Sequence, residues 1–340
     1  MDHSQVNQSI VQSSNDLDLL LAIQQCERLL LSPQPPVRLK KPRIVNIDDN
    51  LSQLLKMNIA KNMASQSSDR RHEFQNHYFS ISLDSCSLYH PDKVTPVTIH
   101  GFKGRTNVAY ATVFARNNVY VFGGQGCTDT YARFNLIEQK WYNDIPIQGI
   151  LGGEYITACY DGSQNIYLVG GIINSLPSNR IDCFNISTEE FSQVGSLPTP
   201  VGIVSAIFHN GKLYVIGGSH KGVQLRRIQE FEVATGQCRI HSGALDIGDC
   251  TSCCFDGKDI YVLSGDGFTR VNMITKSVKH LKAPKRAARN KMFIDGNRIF
   301  LLVGKRNNME YIKEKDYWIP LSDNYRSDEL PNAGLCLIKD

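Results

Sequence analysis

Short apolar strands, each ending at a glycine and followed by polar turn residues, recur at near-regular intervals along residues 108–340. Five of them read YVFGG, YLVGG, YVIGG, YVLSG and FLLVG, and their final glycines are Gly124, Gly171, Gly218, Gly265 and Gly304, spaced 47, 47, 47 and 39 residues apart. Four positions earlier stands an aromatic: Tyr120, Tyr167, Tyr214, Tyr261 or Phe300. A second interval, always 7 residues, separates Phe134 from Trp141, Phe184 from Phe191, Phe231 from Cys238, Val271 from Val278 and Tyr311 from Trp318. Upstream of the glycine strands, Ala206 to Phe208 precede Asn210-Gly211, Cys254-Phe255 precede Asp256-Gly257, and Phe293-Ile294 precede Asp295-Gly296. Asn-Gly and Asp-Gly supply the positive φ that a tight hairpin needs. Each unit is therefore predicted to be four short antiparallel strands, labelled a to d. Units repeating at this period stack or close into a ring, and four-stranded units in a ring are the blades of a β-propeller.

The units resemble kelch repeats, whose marks are a double glycine closing the second strand and two spaced aromatics later in the unit. The double glycine is intact at Gly123-Gly124, Gly170-Gly171 and Gly217-Gly218, whereas Ser264 and Val303 replace its first member in units four and five. The aromatic pair is complete in units one, two and five, with Cys238 and Val278 standing in elsewhere. No Trp-Asp dipeptide or Gly-His opening points to the WD40 alternative. A residue without Cβ lets strand b turn sharply and lets a neighbouring backbone approach. The aromatics fill the wedge between twisted sheets, each burying roughly 150–250 Å². Both sets are read as structural.

A sixth unit is expected from the two ends of the chain. Leu335 to Ile338 matches strand a, and the alternating segments Phe79 to Leu83, Ser87 to Tyr89 and Val97 to Ile99 supply the other strands. Joining them hides both sheet edges. The fold class expected is all-β: a six-bladed kelch-type β-propeller of four-stranded antiparallel blades over residues 77–340, with a short α-helical N-terminal extension over residues 1–76. In that extension Asn15 caps a helix from Asp16 to Leu31, with Leu19, Ala22, Ile23, Cys26 and Leu30 on one stripe. A linker with Pro33, Pro35, Pro36 and Pro42 and the cations Arg38, Lys40, Lys41 and Arg43 leads to a second helix from Asp48 to Met63. These helices are read as loose or packed on the propeller's side, with pairing to a second copy as the minor reading, because helices this short are marginal alone. The extension lacks the Cys and His pattern of a B-box zinc module and is too short for a full BTB domain, which argues against a cullin-ligase adaptor.

Charge and composition narrow the function classes. The net charge of +4 does not by itself indicate nucleic acid, and none is expected as a partner. No run of about 18 apolar residues predicts a membrane span, and no signal-peptide pattern opens the sequence. The 10 cysteines are then expected as reduced thiols in the cytoplasm, with the nucleus as second choice. Cys159, Cys183, Cys254 and Cys336 occupy strand positions as small hydrophobes. Cys250 and Cys253 make a lone CxxC in strand a, without the second pair that structural zinc requires. The nine histidines do not converge on one centre; no catalytic residue, metal or cofactor is expected.

Connector lengths say where function sits. The a–b spacing is 6, 7, 6, 6 and 6 residues and the c–d spacing always 7, but b–c runs 10, 13, 13, 6 and 7 and d–a runs 19, 17, 17, 16 and 20. In an up-and-down blade the b–c and d–a connectors share one face, so variation is confined to it, as on the binding face of repeat proteins. The candidate partner-binding residues there are Arg180, His220, Lys221, Arg226, Arg227, Lys305 and Arg306 in b–c loops, Arg133 and Arg270 where strand c begins, and Lys285, Arg286 and Arg289 between units four and five. Arginines in such a rim pair bidentately with carboxylates. The reading is a non-enzymatic scaffold for a protein partner, expected to be acidic, of the actin-binding or substrate-recruiting type that the kelch resemblance implies. The alternative is an enzyme or small-ligand binder at the central channel mouth.

Overall fold

The computed structural model describes residues 74–81, 86–90, 97–242, 245, 250–265, 267–284, 291–303, 307–321 and 334–339. The expected N-terminal helices lie outside the described residues. Those described build six antiparallel blades of four main strands each, with a further short strand added to the second and a separate two-stranded hairpin beside the third. Blade one is Thr112–Ala115, Asn118–Phe122, Thr130–Asn135 and Lys140–Pro146; blade two is Thr157–Tyr160, Asn165–Val169, Leu176–Asn185 and Glu190–Val201. Blade three is Ser205–His209, Lys212–Ile216, Ile228–Glu232 and Gln237–Ser242; blade four is Cys250–Phe255, Asp259–Ser264, Gly267–Asn272 and Val278–Leu281. Blade five is Lys291–Asp295, Arg298–Leu302, Met309–Ile312 and Tyr317–Pro320.

The sixth sheet joins the ends, as the sequence predicts. Gly334–Leu337 pairs with Tyr78–Ile81, placing Cys336 opposite Phe79 and Leu335 opposite Ser80, and Cys86–Tyr89 and Val97–Ile99 complete the blade. Beyond the sheet, Asn76 N donates to Ile338 O and Ile338 N to His77 O, both at 2.9 Å. The innermost strands of successive blades pack against one another around the whole circle. The result is a closed six-bladed propeller.

Aromatic wedges hold neighbouring blades together. Ring centroids lie 5.3 Å apart for Phe134 and Trp141, 4.7 Å for Phe184 and Phe191, and 5.2 Å for Tyr311 and Trp318. Between blades, Phe79 of the sixth meets Phe134 at 5.4 Å, and Tyr120 of blade one meets Phe184 of blade two at 5.7 Å. Blade four lacks the second aromatic, and Val278 there is exposed. Phe268 substitutes, sitting 4.9 Å from Tyr311 and 5.1 Å from Trp318 of blade five.

The constant c–d spacing is one repeated turn. Asn135 Oδ1 accepts from Ile137 N and Glu138 N, and Asn185 and Asn272 do the same for Ser187 and Thr188 and for Ile274 and Thr275. Gln139, Glu189 and Lys276 close these turns with φ of 52°, 57° and 60°. Asparagine side chains that mimic a backbone turn fix this geometry locally.

Candidate functional site

The double glycines build a hydrogen-bonded lattice on the side where strand b ends. Gly123 has φ of 60°, and a Cβ on it would lie 2.0 Å from Gly153 O in the connector to blade two. That closeness lets Gly124 N donate to Gly153 O at 3.0 Å, and Gly171 N makes the same bond to Val201 O one blade on. Each b–c connector is also bridged to the preceding d–a connector: Gln125 to Thr106, Ile172 to Glu154 and Ser219 to Gly202. Over blades one to three the unequal connectors therefore share one side and form a continuous backbone network. The equal turns interlock on the other side, where Arg116 Nε in an a–b turn donates to Ser163 O in the next, at 3.1 Å.

The departures from the double glycine have local causes. In blade four Ser264 pairs directly with Gly267, and its Oγ donates to Gly267 O at 3.2 Å, so the connector is too short to approach a neighbour. In blade five Asn308 Oδ1 accepts from Val303 N at 2.9 Å in place of a backbone partner.

Two b–c connectors rise as two-residue hairpins. In blade two Ile172–Ile173 pairs with Leu176–Pro177 around Asn174 and Ser175, at φ of 50° and 65°. In blade three Ser219–His220 pairs with Val223–Gln224 around Lys221 and Gly222, at 49° and 79°. Successive positive φ is the backbone of a type I′ turn, which matches the strand twist. Between these hairpins runs Pro200 to Ile203: Gly202 pairs with Ser219, and a Cβ on it would touch Ile172 Cγ1 at 3.2 Å. Asn107, Tyr155 and Ile203, each following a bridge residue, hold φ of 62°, 52° and 53°. Asparagine tolerates this conformation, but a β-branched residue is strained by it. Beside exposed polar residues such as Asn174, Ser175 and Lys221, four large apolar side chains stand open here, with Leu151 58%, Leu176 65%, Ile203 37% and Val223 66% exposed. Sequence reasoning missed all four; the signal was a single apolar residue beside turn formers in Asn174-Ser175-Leu176 and Lys221-Gly222-Val223.

The predicted cationic residues take different positions. Lys221 and Arg226 are exposed on the hairpin face. His220 Nδ1 lies 2.9 Å from Pro200 O, holding the hairpin to the neighbouring connector. Arg227 Nη2 donates to Thr199 Oγ1 at 2.9 Å, and Arg180 Nη2 to Asp182 Oδ1 at 2.8 Å, so both are half-buried between connectors and strands. Burial raises the Asp182 carboxyl above its ordinary range, against the pull of Arg180. Arg133 and Arg270 correct the expectation. They lie inside strand c, which begins three residues earlier at Thr130 and Gly267, and both turn toward the fixed-turn side. Arg133 bonds Glu189 in the c–d turn of blade two at 2.8 Å, and Arg270 lies 3.6 Å from Asp259 at the start of strand b. Opposite charges on that side draw them there. Lys285, Arg286, Arg289, Lys305 and Arg306 lie outside the described residues.

A buried arginine braces the connector side of blade one, and a half-buried lysine ties the innermost strands of blades five, six and one. Arg105 donates to Gly123 O at 3.1 Å, Thr130 O at 2.9 Å and Thr130 Oγ1 at 3.0 Å. Lys291, at the start of strand a in blade five, turns inward; its Nζ donates to Leu335 O at 2.5 Å and Thr112 O at 3.3 Å. Burial lowers its pKa. Cys253 and Cys254 lie in strand a opposite Val262 and Tyr261. Among the described residues no three His, Cys, Asp or Glu side chains form a metal-holding group, and no helix is long and apolar enough to cross a membrane.

Comparison with known proteins agrees with this geometry. The family model described as the Kelch motif matches residues 163–198, which run from the a–b turn into strand d of blade two. Kelch-like protein 35 of Mus musculus is 23% identical over 54% of this chain and 32% of its own length. A kelch repeat-containing protein of Dictyostelium discoideum is 32% identical over 30% of this chain and 19% of its own. Kelch-like protein 6 of Homo sapiens is 26% identical over 37% of this chain and 20% of its own. The chain thus spans a third or less of the length of these relatives.

Proposed function

We propose that this chain, a propeller that carries a Kelch motif at residues 163–198 and is similar to Kelch-like proteins, is a non-enzymatic scaffold that binds a protein partner through its b–c/d–a loop face. One observation carries the reading. Over blades one to three the variable connectors are cross-bridged into a rigid surface, while the opposite turns repeat one geometry. A preorganised surface loses little ordering entropy on binding, which favours affinity for a macromolecular partner. Lys221 and Arg226, exposed on it, favour a partner with acidic groups, and the cations at 285, 286, 289, 305 and 306 extend that rim in the sequence.

Affinity purification of the intact chain, with partners identified by mass spectrometry, tests this. A Lys221→Glu/Arg226→Glu variant should lose specific partners that the wild type retains, and the loss should be steeper at low ionic strength. An unchanged set of partners would count against this face.

A further inference from the structure

Half of the large apolar side chains that stand exposed among the described residues sit on one stretch of the loop face. Of eight, Leu151, Leu176, Ile203 and Val223 belong to consecutive connectors of blades one to three, whereas Val97, Ile240, Ile274 and Val278 are scattered over outer strands and a c–d turn. The connectors that carry the four are joined by close contacts. A Cβ on Gly153 would lie 3.1 Å from Ile173 Cγ1, which joins the Leu151 connector to the blade-two hairpin. The Ile203 connector touches that hairpin through Gly202 and is bridged to the blade-three hairpin at Ser219. Leu176 and Val223 occupy equivalent places, each the first residue after a two-residue turn and 47 positions apart.

Polar side chains at these tips would be better solvated, and an isolated exposed apolar residue needs no explanation. A row of them on a rigid frame does, because contiguous exposed apolar surface marks interaction sites. Ile203 adds a second reason, since a β-branched residue is held there in the left-handed region where Asn107 stands in the equivalent connector.

We propose that this row is an apolar docking strip for a short extended segment of a partner protein, carrying apolar side chains beside acidic ones. The inference rests on the scaffold reading above and specifies its ligand. Anchors drawn from separate connectors in sequence require an occupant that crosses blades, which an extended segment does and a compact small molecule does not. Lys221 at the turn before Val223, and Arg226 beyond it, supply positive charge next to the apolar tips, so the complementary segment is acidic between its apolar residues. Central apolar anchors ringed by charge are the arrangement in which a few residues carry most of the binding energy.

A random-peptide phage library panned on the intact chain tests the strip. Selected peptides are then synthesised, labelled and titrated by fluorescence anisotropy. The expected result is enrichment of peptides pairing Leu, Ile or Phe with Asp or Glu. Leu176→Asp/Val223→Asp should weaken them about tenfold or more, and Lys221→Glu/Arg226→Glu by a smaller, salt-sensitive factor. Both pairs are exposed, so melting temperatures should match the wild type within a few degrees. If Leu176→Asp/Val223→Asp leaves affinity unchanged while the charge reversals abolish it, the apolar strip is wrong and the scaffold face stands. Peptides indifferent to both pairs overturn both readings. A library yielding no binder overturns the strip, and so does a sedimentation result in which Leu176→Asp/Val223→Asp dissociates a self-association, since a second copy would then be the occupant.

Discussion

Lys212 Nζ lies 2.7 Å from Glu230 Oε1, a diagonal ion pair between strands b and c of blade three. The same two positions hold Asp259 and Arg270 in blade four, with the signs exchanged, and Arg298 and Glu310 in blade five, with the signs restored. Glu230 is the most buried of these carboxylates and also accepts from Arg239 at 2.6 Å and faces His241 Nδ1 at 3.3 Å. Burial pushes its pKa up, but the hydrogen bonds from Lys212, Arg239 and His241 outweigh this and hold it below the ordinary carboxylate value. Burial lowers the His241 pKa, with Glu230 opposing.

Both shifts predict acid sensitivity at blade three. A carboxylate with a lowered folded pKa contributes stability above its unfolded pKa and loses it as pH falls through the folded value. A histidine with a lowered folded pKa favours the unfolded state as pH falls below about 6.5. Glu230→Gln should destabilise the chain by about 1–3 kcal/mol at neutral pH, because three donors lose a charged acceptor. Urea unfolding at a series of pH values should show a smaller loss on acidification for the variant than for the wild type.

Two glycines of the same strand-end motif, Gly123 as its first member and Gly265 as its second, are predicted to respond oppositely. Gly123→Ala places a methyl 2.0 Å from Gly153 O at a φ of 60°, so the connector must move and the bridging bonds break. A loss of about 3 kcal/mol or more, or failure to fold, is expected. Gly265 closes the fourth strand b, yet a Cβ there meets nothing within 4 Å and its φ is not positive. Gly265→Ala should stay within about 1 kcal/mol of the wild type or gain slightly through the unfolded chain. Thermal unfolding of the two variants side by side checks the contrast.

What the sequence revealed and what it hid divide by range. Period and spacing located every blade and the closure of Leu335 onto Phe79's strand, because those signals are local and repeat. Connector lengths identified the variable side for the same reason. Arg133 and Arg270 were misplaced because the count from the second glycine ignored how many connector residues extend strand c. Their partners Glu189 and Asp259 sit at a distance along the chain that only the register reveals. Leu176 and Val223 were missed because an apolar residue after a turn reads the same whether it packs or projects.

Ile203 is predicted to trade stability for its side chain. Held at a φ of 53°, a β-branched residue costs of the order of 1–3 kcal/mol relative to an unstrained one. Asn107 occupies the equivalent place with φ of 62° and uses its amide to donate to Glu154 Oε2 at 2.9 Å. Ile203→Asn should raise stability by about 1 kcal/mol, because asparagine tolerates the left-handed region. A fall in melting temperature would mean that Ile203 packs against Ile172 strongly enough to outweigh its strain.

Buried thiols give a signature at the alkaline end. Burial pushes Cys159 and Cys336 up to about 12, and Cys254 higher still. All three lie in innermost strands, so the thiol stays neutral in the folded ring while the unfolded chain ionises it from about pH 8.5. A group whose folded pKa is raised in this way loses its contribution as pH climbs past the unfolded value, so stability should decline from about pH 8.5 upward. The thiolate is the reactive form, and these side chains are almost absent from the surface. A thiol-labelling time course at pH 8, read by peptide mass spectrometry, should therefore find these three cysteines slow in the native chain and fast in denaturant. Rapid native labelling of Cys336 would mean instead that the pairing of its strand with that of Phe79 opens readily, and that the ring is held less firmly at its seam than at any other blade.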